Sequence, residues 1–175
     1  MRVYAPKREI SRFYEPDLVI PSEYCMCQDG TLPEASLLCL EEAVRRVDDH
    51  KIAWGSTQYL GKGAEAIDKL KMQLVNNPRF QVVSNNTIEE ASQLCRLAVE
   101  QGMEKILVII DQPHRPRAEI IYEHFLKGTK TRVSFHTVEA RWDKPHYSRI
   151  QSNRWFWLAG NIAHHCLLRI RGVEA

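Results

Sequence analysis

Lys105-Ile106-Leu107-Val108-Ile109-Ile110 is the stretch of sequence that decides the fold. Its five apolar residues are consecutive and mostly β-branched, which is typical of a strand at the centre of a parallel sheet, covered on both faces. Segments with helical and with strand-like patterns alternate on both sides of this run. The alternation predicts an α/β fold with a mostly parallel central sheet and right-handed crossovers.

Four further segments are predicted to be strands or extended pieces of the same sheet, because they are short and either apolar or alternating. They are residues 17–21, 51–54, 80–83 and 131–138. The spacing of apolar residues predicts helices over 33–47, 62–75, 87–102, 117–126 and 147–171. Thr87 and Glu90 have the spacing of a capping box at the start of the third helix.

The length and the composition are those of one globular domain. With 175 residues the chain favours a single core, so we predict one domain over 1–175 with an N-terminal arm over 1–16. The 24 basic and 22 acidic residues give a net charge of only +2, too balanced to indicate nucleic-acid binding. No apolar run approaches the roughly 18 residues of a membrane span, and the N-terminus lacks a signal peptide's apolar core. We therefore expect a cytoplasmic protein without membrane insertion.

The five cysteines do not resemble a disulfide framework, because their number is odd. Reduced thiols that pack as small apolar side chains are the expected state. Cys25, Cys27, His164 and His165 could be combined into a metal site, but no second ligand pair has a familiar zinc spacing. We therefore predict no metal.

Polar residues follow three of the predicted strands, at Gly55–Thr57, Ser84–Thr87 and Asp111–Arg117. Ligands of open parallel sheets bind outside the carboxyl ends of the strands, so these three segments are expected to converge on one crevice. In the first segment, Gly55 would let the backbone approach a ligand, and Ser56 and Thr57 would donate hydroxyl protons. An ordinary turn is the alternative for that segment.

The other two segments offer groups suited to an anionic or nucleotide-like molecule. Ser84, Asn86 and Thr87 lie at a predicted helix N-terminus, where backbone N–H groups favour an anion, although Thr87 could equally be a helix cap. His114 is the candidate acid or base near neutral pH, and Asp111 could orient it or a hydroxyl group. Arg117 is the candidate anion clamp. The alternative for His114 and Arg117 is that both are ordinary solvated residues.

Two of these segments resemble motifs of the SanA/YdcF-like family, bacterial proteins long catalogued as a domain of unknown function. His114-Arg115-Pro116-Arg117-Ala118 is similar to the family's H-x-x-R-A loop, and residues 84–89 are similar to its S-x-N-T-x-E segment. The resemblance covers roughly residues 17–172. It implies a three-layer, Rossmann-like sandwich with a long, tryptophan-rich C-terminal helix. It also implies that the two motifs border the pocket, and it makes S-adenosylmethionine a candidate cofactor.

The sequence also departs from that family's pattern, at Gln81, Glu90 and Ile110-Asp111. Two hypotheses follow. The first is a domain that binds a small anionic or nucleotide-like molecule, with no assigned reaction. The second is a catalytically degenerate interaction or structural protein that acts through its aromatic C-terminal helix. It predicts that Trp155 or Trp157 lies in a contact with another subunit, as in a homodimer, or with a different partner.

Overall fold

The computed structural model describes residues 16–22, 24, 27, 31–46, 53–58, 80–84, 86–141 and 153–173, with the backbone alone for 53–58. Its strands are β1 (Leu18–Pro21), β2 (Ala53–Gln58), β3 (Phe80–Val83), β4 (Lys105–Asp111) and β5 (Arg132–Val138). Its helices are α1 (Glu34–Arg46), α2 (Thr87–Glu100), α3 (Arg115–Leu126) and α4 (Arg154–Arg171), with a 3₁₀ turn over Gln112–His114.

The five strands form one parallel sheet in the order β3-β2-β1-β4-β5. This confirms the predicted α/β class and the parallel pairing, and it is compatible with a Rossmann-like arrangement. The chain moves outwards from β1 to β3 and then returns to place β4 on the other side of β1. The carboxyl ends of β1 and β4 therefore flank a topological switch point, where α/β proteins have a crevice.

The core confirms that β4 is covered on both faces. Ile106, Val108 and Ile110 are fully buried against α2 and α3, whereas Leu107 and Ile109 lie in a second cluster with α1. Burying a large aliphatic side chain contributes about 1.5–3 kcal/mol, so this run supplies a large share of the stability of the sheet. Helices cover both faces of the sheet because successive side chains of a strand point to opposite sides.

Two segments near the predicted site have a different local structure from the one expected. Gly55–Thr57 is not a turn after a strand but the middle of β2, where it pairs with residues 80–82 of β3. Asp111 is not the first loop residue but the last residue of β4, since its backbone pairs with Val138. In both cases the neighbouring strand extends the ladder beyond the apolar run that the sequence pattern detects.

Two helix starts also differ. The cap of α2 is Asn86 rather than Thr87, because the Asn86 side chain accepts hydrogen bonds from the backbone N–H groups of Ile88 and Glu89. Helix α3 begins at Arg115 rather than Arg117, since Pro116 is accommodated in the first turn of the helix. The predicted helix over 62–75, the arm over 1–15 and residues 142–152 lie outside the described residues.

Helix α4 begins at Arg154, after the cap residue Asn153, and ends before Gly172. It packs against α3 and the 3₁₀ turn at the carboxyl edge of the sheet. Its residue Trp157 is buried in the core cluster that contains the buried residues of α1. No helix in the parts of the chain that the structure describes is both long enough and apolar enough to cross a bilayer.

Candidate functional site

His114 lies at the switch point, directly after β4, and is only 5% exposed. Its ring packs between two aromatic residues. The ring of Tyr24, which follows β1, meets it edge-on with centroids 5.7 Å apart, and the ring of Trp157 on α4 lies 5.5 Å away. The loops after β1 and β4 therefore meet here, with α4 as a third wall.

Arg117, in the first turn of α3, links the aromatic cluster of Tyr24, His114 and Trp157 to α2. Its Nη2 donates to Thr87 Oγ1 at 3.1 Å and lies 2.9 Å from His114 Nε2, while its Nη1 lies 2.9 Å from His164 Nδ1. The guanidinium carbon also lies 6.0 Å from the centre of the Trp157 ring, at the limit of a cation–π contact. Four side chains, from α2, α4 and the 3₁₀ turn, thus surround one cation.

The surroundings of His114 keep its imidazole neutral. Burial lowers the pKa of His114 well below its ordinary value, and the nearby Arg117 and His164 lower it further. Because a guanidinium can only donate hydrogen bonds, the imidazole nitrogen that Arg117 contacts must accept. The buried ring is therefore a neutral hydrogen-bond acceptor near neutral pH, and its expected role as an acid or base stays a prediction.

Arg117 forms no ion pair with a carboxylate among the described residues, where its contacts are a hydroxyl group, two imidazoles and an indole ring. Its Nε is buried and makes no hydrogen bond within the same set. Burial lowers the pKa of Arg117, and the negative charge of Glu90 partly opposes that effect. A half-buried cation with no carboxylate in direct contact is costly, so this position favours an anion.

Asp111 acts on the site through the loop after β1. Its backbone N–H donates to Tyr24 Oη at 2.9 Å, and its Oδ1 accepts from the backbone N–H of Ala140 at 3.3 Å. The side chain is 1% exposed. The backbone N–H group of Asp111 thus holds the Tyr24 ring that packs against His114, and its carboxylate contacts the segment after β5. The expected orientation of His114 by the Asp111 side chain stays a prediction.

The structure assembles part of the expected site. Thr87 joins His114 and Arg117, with its Oγ1 3.3 Å from His114 Nε2, so its hydroxyl group is not used as a helix cap. Ser84 is buried at the end of β3, close in sequence to this contact. Asn86 is occupied by capping α2, and Gly55–Thr57 lies inside β2.

Tyr24 was not predicted from the sequence to be part of this site, and Trp157 and His164 were considered only for a subunit or partner contact and for a metal site. Tyr24 could have been found, because the rule that placed polar loops at strand ends applies equally to the loop after β1, the neighbour of β4. Trp157 and His164 are seven residues apart and therefore share a helix face, but only the packing of α4 shows that this face turns towards the site.

A separate groove of about 600 Å³ lies on the other side of the 3₁₀ turn. It is lined by Gln112, Pro113, Arg115, Pro116, Thr137, Leu158, Asn161, Ile162 and His165. Gln112-Pro113 and Arg115-Pro116 flank His114 in sequence. His114 and Arg117 themselves do not line the groove but contact the aromatic cluster. The buried Asn161 donates through Nδ2 to the Trp157 carbonyl, and its Oδ1 has no partner within the described chain.

The candidate metal ligands do not form a site where the structure describes them. No group of three metal-ligating side chains occurs among the described residues, and Cys25 lies outside them. His164 Nδ1 contacts Arg117, and His165 Nδ1 lies 3.0 Å from the carbonyl oxygen of Pro116. Cys27 is a buried thiol that is not part of a disulfide.

Comparison with known proteins adds no name to this geometry. No family model, curated protein or solved structure matches the chain. The resemblance to the SanA/YdcF-like family therefore stays a prediction that rests on two motifs. The contacts of Arg117 and His114 are therefore the basis on which a function can be proposed.

Proposed function

We propose that this protein binds a small anionic or nucleotide-like molecule, with the guanidinium of Arg117 as the anion-binding group. The observation that carries the proposal is the charge balance of Arg117. This cation is partly buried, and its hydrogen-bonded contacts in the described structure are a hydroxyl group and two imidazoles, with no carboxylate in an ion pair. A phosphate or carboxylate would supply the missing negative charge.

The donors that Arg117 leaves available support the same conclusion. A guanidinium carries five N–H donors, and its three hydrogen-bonded neighbours are Thr87, His114 and His164. The buried Nε is not used within the described residues. Arg117 therefore retains its positive charge and one further Nη1 N–H group for a charge-assisted hydrogen bond to a phosphate or carboxylate group.

The position in the fold also supports this proposal. His114 and Tyr24 follow β4 and β1, the two strands that flank the switch point where α/β proteins bind nucleotides and similar ligands. We extend the proposal to a three-layer, Rossmann-like architecture and to a divergent relationship with the SanA/YdcF-like family. S-adenosylmethionine is on these grounds one ligand to test. We assign no reaction, and the neutral His114 is the candidate proton acceptor.

Calorimetric titration with inorganic phosphate, adenosine monophosphate and S-adenosylmethionine tests this function. We expect binding of at least one probe, weakened about tenfold or more by Arg117→Gln, because a charge-assisted hydrogen bond contributes about 1.5–3 kcal/mol. Arg115→Gln is the matched control, since Arg115 lies on the same helix but pairs with Glu119 at 2.6 Å. Equal losses in the two variants, or no binding of any probe, would refute the proposal.

A second candidate function is a protein-interaction role for α4. The specific observation is that Trp155 and Phe156 are 75% and 66% exposed on this helix. Large exposed apolar patches mark interaction sites in soluble proteins. This role concerns a different surface from that of Arg117, so the two functions can be tested separately.

A further inference from the structure

Helix α4 turns its apolar side to solvent. Trp155, Phe156, Ile162, Leu167 and Ile170 are between 43% and 80% exposed. At 100° per residue, all five fall within one sector of the helix, together with the exposed residues 159, 163 and 166. We call this set of eight positions the outer face of α4.

The opposite side of α4 is the one that packs on the protein, although it carries more polar groups. Trp157 and Asn161 are 5% and 2% exposed, and His164 contacts Arg117. An amphipathic helix normally buries its apolar stripe. Helix α4 instead buries a mixed face, so packing among the described residues does not account for the apolar character of the outer face.

Small side chains of the outer face lie between large ones. Trp155 and Phe156 lie near its start and Leu167 and Ile170 near its finish, with Ala159, Ala163 and Cys166 around the single large residue Ile162 between them. Small residues let two helix axes approach closely, while the large ends interlock. A flat lipid surface gains little from alanine, so this pattern favours another helix.

The exposed area is also close to what a stable dimer needs. The five large side chains expose on the order of 600 Å² per chain, given that a buried aromatic residue contributes about 150–250 Å². Two copies would thus bury about 1,200 Å², the lower bound for specific interfaces. Contacts outside the helix, including the adjoining groove at Ile162, would add to this area.

We infer that the outer face of α4 binds a second copy of this chain, with the two α4 helices antiparallel across a two-fold axis near Ile162 and Ala163. This arrangement pairs Trp155 with Ile170 of the partner subunit and residue 159 with position 166. Ile162 then faces the partner's Ala163, and a two-fold contact uses the same patch on both copies. The inference rests on the second candidate function and does not depend on Arg117.

The first test is the sedimentation of the purified chain over a range of concentrations. We expect a species of twice the 20.3 kDa chain mass, and we expect Ile162→Lys to weaken it tenfold or more. Val99→Lys is the matched control, since Val99 is 40% exposed on α2 and far from the axis in sequence. A monomer at every concentration, or a dimer that Ile162→Lys leaves intact, would overturn the inference.

Cross-linking tests the antiparallel orientation. The native Cys166 is exposed, whereas Cys27, Cys39 and Cys95 are buried. Under mild oxidation we expect Ala159→Cys to form a disulfide with Cys166 of the partner subunit, identified by peptide mapping, and Val99→Cys to form none. A disulfide between two Cys166 residues would indicate a parallel pair and overturn the antiparallel model.

Binding of a monomer to vesicles of phosphatidylserine and phosphatidylcholine would identify a lipid surface instead and overturn the dimer.

Discussion

Arg117 Nη2 lies 2.9 Å from His114 Nε2, so a cation and a neutral imidazole share a hydrogen bond at the carboxyl edge of the sheet. The two residues are three positions apart, and the turn from β4 into α3 brings them together. The positive charge of Arg117 opposes protonation of the His114 ring, and the neutral ring does not balance the charge of Arg117. Four predictions follow from this contact and from those around it.

Arg117→Gln should raise the pKa of His114, because it removes the neighbouring cation that, after burial, most opposes protonation of the ring. Burial would still hold that pKa below its ordinary value. A titration of the imidazole resonances by NMR measures the change. Arg117→Lys keeps the charge and should leave the pKa low. If Gln and Lys gave the same titration, the electrostatic account of this contact would be wrong.

The stability of the protein should decrease as the pH falls below about 6.5, the ordinary pKa of histidine. The unfolded chain takes up a proton at His114 in that range, whereas the folded chain does so only at lower pH, so protonation favours unfolding. His136 contributes in the same direction, since burial and then Arg46 lower its pKa. Thermal melts from pH 7.5 to 5 should show a shallower slope for His114→Gln, and an unchanged slope would contradict this assignment.

Loss of the hydroxyl group should have different effects on the free energy of unfolding at the two buried tyrosines Tyr24 and Tyr122. Tyr24→Phe leaves the backbone N–H of Asp111 without its acceptor and should cost about 1–3 kcal/mol of unfolding free energy. Tyr122 Oη is buried without a partner in the described residues, so Tyr122→Phe should be neutral or stabilising. Denaturant unfolding compares the two variants, and equal effects would show that the bond from Asp111 is unimportant.

Asn86→Ala should lower the unfolding free energy by about 1 kcal/mol, because the Asn86 side chain caps α2. Asn86→Asp keeps the acceptor and should be close to wild type. Thr87→Ala separates capping from function, since Thr87 Oγ1 contacts Arg117 and His114 rather than the helix N-terminus. A larger loss of unfolding free energy for Thr87→Ala than for Asn86→Ala would instead support the capping box of Thr87 and Glu90 that the sequence predicts.

The fold was predictable where the pattern of one segment determines its structure. The apolar run Ile106–Ile110 identified a strand with two buried faces, and the alternation of segments identified a parallel sheet. The ends of elements were less predictable, because they depend on the neighbours. Asp111 belongs to β4 because β5 pairs with it, and Gly55 belongs to β2 because β3 pairs with it.

The candidate site was predictable to a similar extent. Thr87, His114 and Arg117 were expected to converge, and strand order brings them into contact. The neutral state of His114 was not predictable, because it results from burial between Tyr24 and Trp157. No periodicity shows which side of α4 faces those rings, since its more apolar side faces outwards.

The two faces of α4 have a consequence for regulation. Trp157 contacts the His114 ring, while Trp155, two residues earlier, is exposed on the opposite side of the same backbone. If ligand binding at Arg117 shifts this helix, it changes the affinity of one copy for the other. Thermodynamic reciprocity then requires self-association to change ligand affinity by the same factor. Ligand affinity would therefore vary with protein concentration, and one helix would give the protein cooperativity.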